Sequence, residues 1–280
     1  MEILNGDLTL NVAVDGDADA PPVLLLHGIT ASVRTWEWMV PHLVDRYRVL
    51  RLDFRGHGRS GRARGTYGWE GYVSDAAAAC REVAGAPCAI IGHSLGGGTA
   101  AALAQLHPDL PRGVLLEDPP LSVTRDLDDN SLLDAFRLMR ESIPRIQAEG
   151  VPADVVAQIL AQAPSAAGPT FGEMLHPDAL AAMAAGMLEL DATVLDPVLE
   201  GTIRPLFDPS APIPVPTLVI TADPASPDAV TRPADVERLA TASPHAKVRV
   251  MTGASHLVHD ELANRQNFLD EVIGFLDQLE

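Results

Sequence analysis

The eleven residues from Ala89 to Thr99, Ala-Ile-Ile-Gly-His-Ser-Leu-Gly-Gly-Gly-Thr, carry the chain's clearest chemical signal. An apolar run stops at Gly92-His93-Ser94-Leu95-Gly96, and a helical stretch of small residues follows. Buried strand, Gly-x-Ser-x-Gly and helix is the order that turns a serine into a nucleophile. A serine on so sharp a bend sits at a strained backbone angle, so the residues two before and two after it must lack side chains. The bend lifts the Ser94 hydroxyl clear of the strand, and the N–H groups and positive dipole end of the following helix face the same point. A hydroxyl is a weak nucleophile by itself. It needs a base within hydrogen-bond reach, an acid to orient that base, and backbone donors for the charge that develops on the attacked oxygen. Leu95 offers one such N–H because it follows the nucleophile. Nine histidines and 38 aspartates and glutamates compete for the other two roles.

These groups must be held by a framework, and the hydrophobic pattern predicts it. Ile3–Leu4 and Leu8–Val14 read as strands joined at Asn5-Gly6, a hairpin signal. Pro22–Leu26 is a continuous apolar run, as expected of a strand covered on both faces, and Tyr47–Leu52, Cys88–Ile91, Gly113–Leu116, Thr217–Thr221 and Val248–Met251 read as further strands. Helices are expected at 32–44, 71–83, 97–106, 234–242 and 267–279. Strands alternating with helices imply a parallel sheet with the site at the strands' C-terminal ends. From Leu121 to Pro212 the alternation stops. Helical periodicity broken by prolines predicts an insertion of about ninety residues, too long for a loop, that acts as a cap. The expected division is 1–120 and 213–280 for the core and 121–212 for the cap.

With 280 residues and 47% hydrophobic composition, the chain suffices for one elaborated α/β domain. A formal charge of −18 argues against nucleic acid and anionic membranes as partners. No apolar run approaches membrane-spanning length, and the N-terminus lacks the basic segment and apolar core of a signal peptide, so the expected compartment is the cytoplasm. Cys80 and Cys88 fit a reducing environment. There is no Gly-rich phosphate loop and no cluster at metal-ligand spacing, so no cofactor and no metal is expected.

His27-Gly28, Asp53-x-Arg55-Gly56-His57-Gly58-x-Ser60, Gly92-x-Ser94-x-Gly96-Gly97 and Gly253-x-x-His256, in that order and nearly end to end, resemble the α/β-hydrolase superfamily. More narrowly they are similar to its single-domain serine hydrolases with a helical cap, of the esterase and lactonase kind. The resemblance implies a mostly parallel eight-stranded sheet flanked by helices, a cap after the sixth strand and a covalent serine–histidine–acid mechanism. Chain order then puts the base at His256, on the Gly253-Ala254-Ser255 loop after the last strand, with His259 second. His27 and His57 belong to glycine-flanked turns that shape loops, and His93 points off the elbow. The superfamily pattern makes Ile29 N–H the second oxyanion donor, with Gly28 leaving room for approach. The usual acid position after the seventh strand is Ala225, which cannot serve, and Asp223 and Asp228 flank it. A second location, used by haloalkane dehalogenases and some lactonases, lies 24 residues past the nucleophile at Asp118, next to Glu117. Asp118 is preferred, then Asp223 and Glu117.

The expected reaction is hydrolysis of a small neutral ester or lactone through an acyl-enzyme. Alternatives are a carbon–carbon bond hydrolase of ring-cleavage products and a low-turnover ligand receptor. The former would use cap arginines (Arg125, Arg137, Arg140, Arg145, Arg204) to hold a carboxylate. Phe136, Met139, Phe171, Met174, Met183 and Met187 either line the pocket or pack the cap. One of Trp36 and Trp38 is a candidate wall. Oligomeric state is not legible.

Overall fold

The computed structural model describes residues 1–122, 131–204 and 206–280; Arg125 lies outside them. Eight strands form one sheet: β1 (Glu2–Asn5), β2 (Leu8–Asp15), β3 (Pro22–Leu26), β4 (Arg48–Leu52), β5 (Cys88–His93), β6 (Pro111–Glu117), β7 (Thr217–Thr221) and β8 (Lys247–Val250). Their order is β1-β2-β4-β3-β5-β6-β7-β8. The β1–β2 and β2–β4 pairs are antiparallel and every other pair is parallel. The β1–β2 hairpin turns at Gly6, whose φ of 62° is open to glycine without penalty. The chain leaves β3 toward β4 on one side and returns to β5 on the other. That switch point parts the loops after β3 and β5, opening a crevice at the carboxyl edge.

Period-two alternation explains the burial. Leu24, Leu26, Leu50, Leu52, Ile90, Val114, Leu116 and Val219 face one layer, and Val23, Leu25, Val49, Ile91, Leu115, Leu218 and Ile220 the other. Among the described residues, ten α-helices flank the sheet or follow it: α1 (Val40–Leu43), α2 (Trp69–Ala79), α3 (Leu95–Leu106), α4 (Ser131–Ala148), α5 (Ala153–Gln162), α6 (Phe171–Met174), α7 (Pro177–Leu188), α8 (Asp196–Leu199), α9 (Pro233–Ala242) and α10 (Arg265–Asp277). α2 and α3 cover the first layer, while Met39 and Leu43 near α1, with Phe268, Val272 and Leu276 of α10, cover the second. Helices α4 to α8 all fall between β6 and β7, with no strand among the described residues of that stretch.

One expectation needs correction. The helix anticipated over 32–44 is two short turns, a 3-10 turn at Val33–Trp36 and α1. Pro41 has no N–H, and its ring would collide with the Glu37 carbonyl in a continuous helix. Ser32 caps the first turn by accepting from Arg34 N–H at 3.4 Å.

Candidate active site

β5 delivers Ser94 to the crevice. Its backbone sits at φ 51°, ψ −115°, a left-handed angle that costs a non-glycine residue about 1–3 kcal/mol. Two hydrogen bonds and two glycine contacts hold it there. Ser94 N–H donates to Glu117 O at 2.8 Å, and Gly98 N–H donates to Ser94 O at 2.9 Å. A methyl on Gly92 would overlap the Gly96 carbonyl, and one on Gly96 would overlap the Leu26 carbonyl. β3, β5 and α3 therefore meet with no room for Cβ atoms.

The loop after β3 lies against this elbow. A methyl on Gly28 would stand 2.9 Å from His93 Nδ1 and 3.5 Å from Ser94 Cβ. Ile29 and Leu95 are both buried. Their N–H groups donate to nothing among the described residues. His27 Nδ1–H donates to Gly28 O at 2.7 Å and its Nε2 accepts from Phe54 N–H at 3.1 Å; His57 Nε2 lies 2.6 Å from Ile29 O. Burial holds the His27 imidazole well below its ordinary pKa, so it stays neutral.

His256 comes from the loop after β8, which turns at Gly253 with φ 77°. Its Nδ1–H donates to Asp118 Oδ2 at 2.6 Å, with both side chains buried. Asp118 sits just past β6, at φ 37°. Its carboxylate also accepts from the backbone N–H groups of Val230 (2.9 Å), Thr231 (3.1 Å) and Ala222 (3.3 Å). Burial works against the Asp118 charge. The His256 hydrogen bond, the imidazole's charge and the N–H groups of Val230 and Thr231 outweigh it and hold the carboxyl below its ordinary value. Burial likewise opposes the imidazolium, but Asp118 overcomes it and raises His256 above 6.5. Asp223 is elsewhere. It ties Ala225 N–H (2.9 Å) and Gly253 N–H (2.7 Å), stapling two loops at the surface. Asp228 accepts from the Ser226 hydroxyl at 2.6 Å.

Glu117 faces a different imidazole. Its carboxylate accepts from His259 Nδ1–H at 2.8 Å and from His259 backbone N–H at 2.9 Å. Burial pushes the Glu117 carboxyl up to about 7 and the His259 imidazole down, so the pair carries at most one charge. His259 does not open the terminal helix as expected; it lies in a 3-10 turn, Val258–Asp260, with α10 starting at Arg265. Trp36 stacks on its ring at 4.4 Å. His93, held by burial to about 3, donates Nε2–H to His256 O at 2.9 Å. His93, Glu117 and His259 are the one trio among the described residues whose donor atoms converge as a metal site would require. Glu117 and His259 are hydrogen-bonded to each other, and His93 is engaged with the His256 carbonyl. The sequence reading missed this trio because its members are far apart in the chain; the pairs Glu117-Asp118 and His256-x-x-His259 were its only signal.

The stretch between β6 and β7 is bonded to the loop that bears His256. His176 N–H donates to Asp260 O (3.0 Å), Leu262 N–H to Met174 O (2.8 Å), and Arg265 pairs with Asp178 at 2.7 Å. The described arginines of that stretch are occupied: Arg137 by Asp134, Arg140 by Asp196, Arg145 by Glu149, and Arg204 by the Gly201 and Ile203 carbonyls. Phe136 and Met139 pack on the same layer as Leu95 and Leu121. Trp36 is wholly buried, which removes it as a pocket wall, and the Trp38 ring carries the Arg265 guanidinium at 4.6 Å. A cavity of about 850 Å³ between the 64–71 loop and the 193–204 segment is lined by none of Ser94, Asp118 and His256.

A serine at positive φ between a parallel strand and a helix, on a doubly wound eight-stranded sheet, defines an α/β-hydrolase architecture. Residues 23–270 match the alpha/beta hydrolase family, and the chain belongs to it. The 2-(acetamidomethylene)succinate hydrolase of Mesorhizobium japonicum is 32% identical over 159 residues, 54% of this chain and 56% of that protein. The chain thus matches only about half the length of that relative. The sn-1-specific diacylglycerol lipase ABHD11 of Mus musculus is 26% identical over 277 residues, covering 94% and 83%. Among solved structures, an enol-lactonase from Burkholderia xenovorans superposes with a TM-score of 0.74 at 24% identity, over 99% of this chain and all of that one, a likeness of fold. No helix among the described residues is long and apolar enough to cross a membrane.

Proposed function

We propose that the protein is a cofactor-free serine hydrolase that cleaves a small neutral carboxylic ester or lactone in the cytoplasm. Ser94 is the nucleophile, His256 the general base and Asp118 the acid, with Ile29 N–H and Leu95 N–H as the oxyanion hole and residues 121–212 as a cap. The observation that carries the reading is the 2.6 Å hydrogen bond from His256 Nδ1 to Asp118, both buried, on the loop beside the Ser94 elbow. Nδ1 is committed to the acid, which leaves Nε2 as the nitrogen that takes the serine proton. The serine oxygen attacks the carbonyl carbon, and the oxyanion accepts from the two free amides. The leaving oxygen departs with the proton held on Nε2. Water, deprotonated by the same nitrogen, then hydrolyses the acyl-enzyme and returns the proton to Ser94. The relative named as a diacylglycerol lipase supports an ester-type bond, and Arg137 and Arg140 of the cap are engaged by Asp134 and Asp196.

The test is turnover of short-chain nitrophenyl esters and of lactones, with Ser94→Ala as control and a fluorophosphonate probe to tag the nucleophile. Expected are measurable turnover, tagging at Ser94, and a loss of at least about 10⁴-fold in kcat for Ser94→Ala. Equal, negligible rates in both proteins, with ligands still raising Tm, would replace the enzyme by a receptor.

A further inference from the structure

Behind the Ser94, His256 and Asp118 groups stands a second row with the same order of hydroxyl, imidazole and carboxylate. Thr35 O–H donates to His259 Nε2 at 3.0 Å, and His259 Nδ1–H donates to Glu117 at 2.8 Å. All three residues are buried. Acyl transfer makes no use of them, yet removing an ionisable carboxylate and an imidazole from water costs several kcal/mol unless specific contacts offset it.

Two sets of bonds tie this row to the first. Glu117 bonds the nucleophile and the loop that carries the base: its carbonyl accepts from Ser94 N–H at 2.8 Å, and its carboxylate accepts from His259 backbone N–H at 2.9 Å, three residues past His256. His93 forms the other link. It donates to the His256 carbonyl at 2.9 Å while its ring meets that of His259 at 4.9 Å. A third carboxylate, on Glu261, accepts from Ser255 N–H at 2.7 Å and closes the turn. Moving Glu117 or His259 would therefore move the loop that aims His256.

We infer that Glu117 and His259 are a positioning pair, which fixes the height and tilt of His256 over Ser94 while Asp118 alone serves as its acid. This rests on the serine-hydrolase reading. The device has a physical rationale, since a displacement of about 1 Å at a catalytic group costs about 10²-fold in rate. The groups that face the pair are His93, His256, Asp118, Asp260 and Arg265. Of these, His256 reports on it, because the negative charge of Glu117 helps to raise that imidazole.

Glu117→Gln preserves shape but turns one acceptor into a donor against His259. Its kcat on nitrophenyl butyrate is expected to fall about 10- to 100-fold with KM within about 2-fold. The acid limb of its kcat/KM profile should move to lower pH. Thr35→Val, which deletes only the outer hydrogen bond, should lower kcat by less than about 10-fold in a fully folded protein. It carries the test if Glu117→Gln does not fold. Independently of turnover, the downfield proton NMR signal of the His256–Asp118 bond should shift or broaden in either variant. Unchanged kcat, acid limb and proton signal in folded variants, with only a lower Tm, would reduce the pair to packing and overturn the inference. Were the wild type inert on every ester, the hydrolase reading would fail while the proton signal still decided the positioning.

Discussion

His256 has one strong neighbour, and its titration follows from that. Asp118 holds the imidazole above its ordinary pKa of 6.5, and a general base works only when neutral. The kcat/KM of the wild type should therefore rise as pH climbs through a value above 6.5 and level off beyond it. In Asp118→Asn the support for the cation is gone and the imidazole is no longer held with Nδ1 protonated. The acid limb should then shift below 6.5 and kcat fall by about 10³- to 10⁴-fold with little change in Tm. Asp223→Asn is the control. Among the described residues that carboxylate binds the Ala225 and Gly253 N–H groups at the surface, away from His256, so a rate within about 3-fold of wild type is expected. A pH–rate series on the three proteins decides. Equal, mild losses in both variants would remove Asp118 from the acid's role.

Elements set these residues in place by backbone contact rather than by side-chain fit. Gly96 packs on the Leu26 carbonyl, rigid on both sides, so Gly96→Ala cannot be relieved by a rotamer change. A loss of about 3 kcal/mol or more in a urea titration is expected, against about 1–2 kcal/mol for Gly85→Ala, where φ is 68° but space is open. Comparable losses at both would mean that conformation, not the three-element contact, governs the elbow. The same contacts explain what was legible beforehand. Alternating and continuous apolar runs specify strands, and all eight were read within a few residues of their ends. The elbow was legible because its glycines answer a local steric demand. The carboxylate beside His256 was legible as a preference for Asp118 over Asp223 and Asp228, which lie on the loops after β6 and β7; the path of the 222–231 backbone, which sends three N–H groups to Asp118, separates them. The break of the 32–44 helix was written in Pro41, but the apolar spacing of Trp36, Met39 and Leu43 read as helical. The Thr35–His259–Glu117 row escaped because tertiary pairing alone creates it.

For the whole molecule, the buried histidines govern how stability responds to acid. Burial lowers the pKa values of His27, His57, His93 and His259, the third to about 3, while in the unfolded chain each titrates near 6.5. A lowered folded pKa gives stability that is whole above the unfolded value and lost as pH falls from there toward the folded one. Glu117, raised to about 7, and Asp260, raised to about 6, act the other way and return stability as pH falls toward the ordinary carboxyl range. His256, raised above 6.5, joins them, so four groups oppose three and the net slope corresponds to about one proton, or about 1.4 kcal/mol per pH unit at its steepest. The surface adds a competing effect. The charge of −18 repels itself at pH 7, and that repulsion relaxes toward the isoelectric point near 4.7. Salt separates the two, because it screens exposed charges and leaves buried ones nearly untouched. Scanning calorimetry from pH 7.5 to 5 in about 0.3 M NaCl should therefore give a steadily falling Tm, with a shallower fall in dilute buffer. A Tm that holds or rises toward pH 5 in high salt would mean that these imidazoles are charged inside the folded protein, and the neutral state assigned to His93 and His259 beside the proposed base would have to be abandoned.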